Sequence, residues 1–209
     1  MAYAKIEGGS VVQYPYTLEE LFAANPFTAF PKIPSKASLE DHGVVEVATV
    51  QPPSVTAEQS ADQAAPVKEG SVWMQSWVVR NKSAQELAVA KLAKWEAVKT
   101  LRDQHIDGGC FILGTGTFDS DPISRSNITG AALGASISAS QEQEFSISWK
   151  LADNSIKTLN GAQMIAVGMG VLTHVATCHA VAQQFGLAID AATTFTALNA
   201  IDLDTGWPA

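Results

Sequence analysis

The chain has 209 residues, 46% of them apolar and 16% charged, with a net charge of −8 at pH 7. That length carries one large or two small domains, and the apolar share is enough for a core. From His105 onward nine acids stand against three bases, which excludes a surface built to track nucleic-acid phosphates. No basic amphipathic segment is present to bind an anionic membrane.

Along the chain, AYAKIE and SVVQYPY flank Gly8-Gly9 and predict a hairpin over residues 1–16. MAYAKIEGG lacks the basic start and apolar run of a signal peptide. Thr17 with Glu20 three residues on is a capping box, opening a short helix that stops near Asn25-Pro26. NPFTAFPKIP is read as extended, because each Pro biases its predecessor away from helix. Ser38 and Asp41 are candidates to cap one more turn before Gly43, and Val44 to Val50 reads as a strand. Residues 51–70 have no aromatic and no Leu, Ile or Phe, so they read as an extended linker, or as an arm ordered on assembly.

Ser71 to Arg80 alternates as a strand, with Trp73 and Trp77 on one face. Ser83 and Glu86 predict the start of a helix running to about Gln104. Its stripe of Leu87, Ala90, Ala97, Val98 and Leu101 is interrupted by Lys94, while Leu92 and Trp95 lie off it. A helix with two apolar faces touches two neighbours, one of which could be another subunit. CFILGTGTF reads as one strand weakened by its glycines. Asp121-Pro122 is a helix start with Asp as N-cap. FSISWKL and SIKTL flank an Asp153-Asn154 turn and predict a second hairpin. Asn160 and Gln163 cap a long helix that Gly186 is expected to end, and a last short helix spans Thr194 to Ile201.

The candidate chemistry is thin. Asp119 and Asp121 form a D-x-D pair, but no third acid lies near enough to complete a cation loop, and Pro122 favours a cap. His174, Cys178 and His179 share one helix; zinc would need further ligands, and only Cys110 remains among the cysteines. Cys178 and His179, adjacent on a helix, point about 100° apart, which is poor geometry for proton transfer. Cys110 and Cys178 read as buried thiols rather than a disulfide. GTGTF lacks the Lys-Ser/Thr of a phosphate loop. Met164 to Ala182 carries no formal charge and has the length of a membrane span, but its Thr and His residues favour a buried helix. No catalytic, cofactor-binding or metal-ligating residue is assigned, no cofactor is expected, and the chain is read as a non-enzyme.

The helix SAQELAVAKLAKWEAVKTLRD, then FDSDPISRSNI, FSISWKLADNSIKTLNGAQM, HVATCHAV and a closing GWP resemble a domain of unknown function that recurs in tailed-phage tail proteins. The resemblance covers roughly residues 83–208. The front end, from YPYTLEELFAANPFTAFP to the W-x-x-x-W strand, is similar to small tail-fibre-region proteins. It implies a virion structural protein of a tailed bacteriophage, made in the host bacterial cytoplasm and placed in the tail fibre or baseplate periphery. The partners implied are other tail proteins and further copies of the chain, a trimer by analogy with fibres, with no nucleic acid and no membrane span. A tail-fibre assembly chaperone and a receptor-binding tip protein are the alternatives.

The expected fold is α+β: a small antiparallel β-hairpin sheet packed by helices, with an extended Pro-rich N-terminal region containing short strands. Residues 1–50 form a docking region, 51–70 the linker or arm, and 71–209 the C-terminal domain. Tyr14, Tyr16, Phe27, Phe30, Trp73, Trp77, Leu92 and Trp95 are the candidate interface residues, because aromatic and large apolar groups carry most burial per residue.

Overall fold

The computed structural model describes residues 2–208. The chain divides into two compact units, Met1–Ser83 and Ala84–Ala209.

The first unit is a five-stranded mixed sheet with two short helices. β1 (Ala2–Glu7) and β2 (Ser10–Tyr16) form the hairpin around Gly8-Gly9, both with positive φ. α1 (Leu18–Ala24) starts from Thr17 in a complete capping box with Glu20. α2 (Lys36–Asp41) is capped by Ser35, three residues before the expected Ser38. Gly43 turns the chain into β3 (Val44–Ala48) at φ +66°, and a Cβ there would stand 2.7 Å from the Ile6 carbonyl oxygen, so only glycine fits. β1 pairs antiparallel with both β2 and β3. β4 (Gln59–Glu69) and β5 (Val72–Asn81) form a long antiparallel hairpin, and β5 joins β3 in parallel through Val47↔Trp73 and Ala48↔Met74.

The strand order β2-β1-β3-β5-β4 leaves β2 and β4 as edges, and side chains draw these edges together. Tyr14 on β2 accepts hydrogen bonds from Gln63 of β4 (2.7 Å) and Gln75 of β5 (3.0 Å). The β4–β5 register slips between Ala64 and Val67, where Pro66 has no N–H to give to a ladder. The sheet therefore curls into a nearly closed barrel. Tyr16, Leu21, Leu39 and Val44 form its buried cluster, with Phe22 and Phe30 packed against them.

The extended, Pro-rich N-terminal region is thus corrected to a barrel-like mixed sheet, and the principal sheet of the chain lies here rather than in the C-terminal part. Residues 59–69 of the expected linker are β4. Their low apolar content reflects an edge strand that pairs on one side only and leaves most side chains in solvent. The W-x-x-x-W strand belongs with this unit, not with the C-terminal one.

The second unit is mainly helical. α3 (Ala84–Asp107) is followed by a hairpin of β6 (Cys110–Ile112) and β7 (Gly116–Phe118), so CFILGTGTF is two strands, not one. α4 (Pro122–Ser140) starts from the Asp121 cap. β8 (Ser146–Lys150) and β9 (Ile156–Asn160) flank the turn in which Asn154 takes φ +66°. α5 (Gly161–Ala191) opens with the Asn160–Gln163 capping box, and α6 (Phe195–Asn199) is capped by Thr194. The small hairpin sheet expected here is two separate two-stranded ribbons.

α5 does not end at Gly186. The glycine lies inside the helix because a Cβ would stand 3.3 Å from the Trp95 ring. The N-terminal half of α5 meets α4 in a core of Phe118, Ile128, Ala135, Leu159, Met164 and Val167. The C-terminal half meets α3 and α6 in a second core of Val98, Ala182, Ile189, Ala192 and Leu198. Lys94, the break in the α3 stripe, reaches the Leu198 carbonyl at 2.7 Å and so serves this second contact.

Two outcomes test these local accounts. Tyr14→Phe removes the acceptor that joins β2 to β4 and β5, and urea denaturation should show a loss of about 1–2 kcal/mol. The Asp121 carboxyl is held below its ordinary value by the Ser124 hydroxyl and the backbone N–H groups it caps. A lowered folded pKa gives stability that is present above the unfolded value, near pH 4, and is lost as pH falls through the folded one. In thermal melts the advantage of the wild type over Asp121→Asn should therefore be present at pH 7 and vanish in strong acid.

Candidate functional site

Most of the polar groups that resemble chemistry have structural partners. In FDSD, Phe118 is fully buried in the core and Asp121 caps α4. Ser120 is also fully buried; it donates to the Ile106 carbonyl (2.6 Å) and accepts from the Gly109 amide (2.8 Å), clamping the end of α3 to the start of α4. Asp119 stays exposed. Arg125 pairs with Asp107 and donates to the Ser120 carbonyl, which fastens the same corner.

His174 is buried on α5, with Nε2 2.9 Å from the His105 carbonyl oxygen. A carbonyl only accepts, so Nε2 carries the proton. The Cys178 thiol, 3.9 Å from that nitrogen, therefore faces a donor rather than a base, and the pair cannot act as nucleophile and general base. Burial raises the Cys110 thiol; burial, then the nearby Cys110, raises Cys178. His179 lies exposed on another face of the helix. Among the described residues no three His, Cys, Asp or Glu side chains gather as a metal site.

The eight interface candidates separate clearly. Tyr16 is in the barrel core. Phe30 stacks on Phe22 at 5.1 Å and meets the edge of His42. Tyr14 holds the β2–β4 seam. Trp77 donates to the Val50 carbonyl at 3.0 Å, while Gln75 accepts from the Val50 amide, tying the segment after β3 to β5. Trp73 is half-buried and lines a groove of about 580 Å³ with Lys36, Glu40, Glu46 and Lys68. Phe27 stands fully in solvent.

Leu92 and Trp95 fall together. With Ala88 and Lys91 of α3 and Gly186, Ile189 and Asp190 of α5 they line an open groove of about 540 Å³. Gly186 brings the Trp95 ring against the helix backbone, and buried Ile189 forms part of the floor. Leu92, 66% exposed, stands at the rim. Lys91 crosses to the Asp190 carbonyl at 2.9 Å, so the two helices are held together beside the opening. Nothing in this lining is a nucleophile or a paired acid. It can receive an apolar side chain, and the Lys91 and Asp190 charges can orient it.

Residues 89–204 match the family described as "Domain of unknown function (DUF4376)". The chain belongs to this family. No curated protein and no solved structure matches the chain. The family match covers the lining of the Leu92–Trp95 groove apart from Ala88, both α4 and α5, and the Asp121 and Asn160 caps.

Sequence reading placed Leu92 and Trp95 off the main stripe of α3. It missed the other wall, because Gly186 reads as a helix stop. It also missed the exposed Ile123, Leu133 and Ile137 of α4 and Met169 and Leu172 of α5, whose spacing in the sequence is the same as that of core positions.

The buried thiols give a direct check. Thiol-specific labelling of the native protein at pH 8 should leave both cysteines at least about tenfold slower than an exposed thiol, and denaturant should release both.

Proposed function

We propose that this chain works by binding and assembly. In this reading it is a virion structural protein of a tailed phage, at the tail-fibre or baseplate periphery, and it docks a neighbouring tail protein in the Leu92–Trp95 groove. The groove carries the binding half of the proposal: it is preformed, apolar at its floor and free of reactive groups. The resemblance of FDSDPISRSNI, FSISWKLADNS and GWP to phage tail proteins carries the placement. A low charged share suits a chain whose surface is covered in an assembly.

Purified particles of the phage that encodes the chain, examined by quantitative mass spectrometry, test the placement. The protein should be present at a fixed copy number. Its absence would overturn a structural role and leave the assembly-chaperone reading. Leu92→Glu tests the groove. Burying an unpaired carboxylate there costs more than about 1.4 kcal/mol, so incorporation should fall at least about tenfold while circular dichroism stays unchanged.

A further inference from the structure

The NPFTAFPKIP segment is held in place while its apolar tip is left free. The Thr28 amide donates to the Asn25 carbonyl at 3.0 Å, closing a β-turn with Pro26 and Phe27 at its centre. The Asn25 side chain donates to the Leu21 carbonyl at 2.8 Å, which ties the turn to α1. Further on, Phe30 packs on Phe22, and Pro34 is buried. Between these anchors Phe27 is 102% exposed and Ile33 77% exposed. A scattered apolar residue at a surface is ordinary. A ring at the tip of an anchored turn is different: it is presented in a set direction, and docking it orders little further.

The Leu92–Trp95 groove has the dimensions of such a tip. Its α3 wall, from Ala88 to Trp95, runs about 10 Å, and its α5 wall, from Gly186 to Asp190, about 6 Å. That space takes one ring and the residue beside it, rather than the row of anchors that a docked helix sets down. The Trp95 ring over Gly186, with Ile189 beneath, offers an aromatic surface on which a second ring can stack.

Charge matches the two. From Asn25 to Ser38 the charged residues are Lys32 and Lys36, with no acid among them. Lys36 pairs with Glu40 at 3.8 Å, and Lys32 stands exposed beside the turn. At the groove the Lys91 ammonium is engaged by the Asp190 carbonyl oxygen, while the Asp190 side chain is exposed at the opening. A basic segment thus meets an acidic rim. In a chain of net charge −8, where copies otherwise repel, this local attraction favours the turn over the rest of the surface.

We infer that the occupant of the groove is the Asn25–Thr28 turn of a second copy of this chain, with Phe27 on Trp95 and Lys32 facing Asp190. The inference rests on the reading of the groove as a docking site and names what docks there. Turn and groove are different patches, so the contact is head-to-tail. It propagates into a ring or a filament instead of stopping at a two-fold pair.

Sedimentation velocity of the full chain, up to about 200 µM, tests it. The wild type should associate beyond a dimer. Phe27→Glu and Leu92→Glu, at exposed positions where circular dichroism should show the fold intact, should each weaken association at least about tenfold, because each buries an unpaired carboxylate in the contact. Mixed in equal amounts, the two variants should recover a 1:1 heterodimer and nothing larger, since one retains the groove and the other the turn. Lys32→Glu should weaken the contact about threefold, and Asp190→Lys in the same chain should restore it. A wild type that stays monomeric, an assembly untouched by either Phe27→Glu or Leu92→Glu, or a mixture without the heterodimer would overturn the inference. If Leu92→Glu blocks incorporation into particles while Phe27→Glu leaves both incorporation and solution assembly unchanged, the groove serves a different tail protein, and the docking reading stands without this occupant.

Discussion

Met164, Val167, Val171, His174, Cys178, Ala182 and Ile189 are all buried on α5. They recur at intervals of three, four or seven residues, so they lie along one side of the helix for about 38 Å. That single line belongs to two cores. Its first half closes against α4 and the two β-ribbons, and its second half against α3 and α6. The middle is polar, yet it is satisfied: the His174 ring donates to His105, whose own ring stacks on Trp207 at 5.0 Å. The closing GWP thus returns to the middle of the unit, where Trp207 also meets Phe185.

Much of the local structure was legible because it rests on short-range chemistry. Thr17–Glu20, Asp121-Pro122 and Asn160–Gln163 each satisfy free amides at a helix start, and all three stand where the residues say. Gly8-Gly9 and Asp153-Asn154 do the same for turns. What was not legible depends on distant partners. β4 has few apolar residues and is a strand only because β5 lies beside it. The curl of the barrel depends on Tyr14 meeting glutamines 49 and 61 residues away. Gly186 reads as a stop until Trp95 is placed beside it.

The same distinction applies to the candidate site. The residue pairs that suggest chemistry are caps, clamps and core contacts once their partners are known. Ser120 was the unnoticed member of FDSD, since a serine between two aspartates gives no signal of burial. The aromatics of the barrel are largely occupied by the fold itself. What α3, α4 and α5 leave over is surface: a groove beside Trp95 and the exposed Ile123, Leu133 and Ile137 of α4. Both exist because α5 buries one side only, and because the helices packed on it are apolar on more than the side they use.

If α5 is the shared support of both cores, its two halves cannot open separately. Native-state hydrogen exchange along Met164–Ile189 measures this most directly. The account predicts one block of slow amides, opening with a single free energy equal to that of unfolding the helical unit. Exchange of residues 178–189 well before residues 164–174, at a clearly lower opening energy, would contradict it.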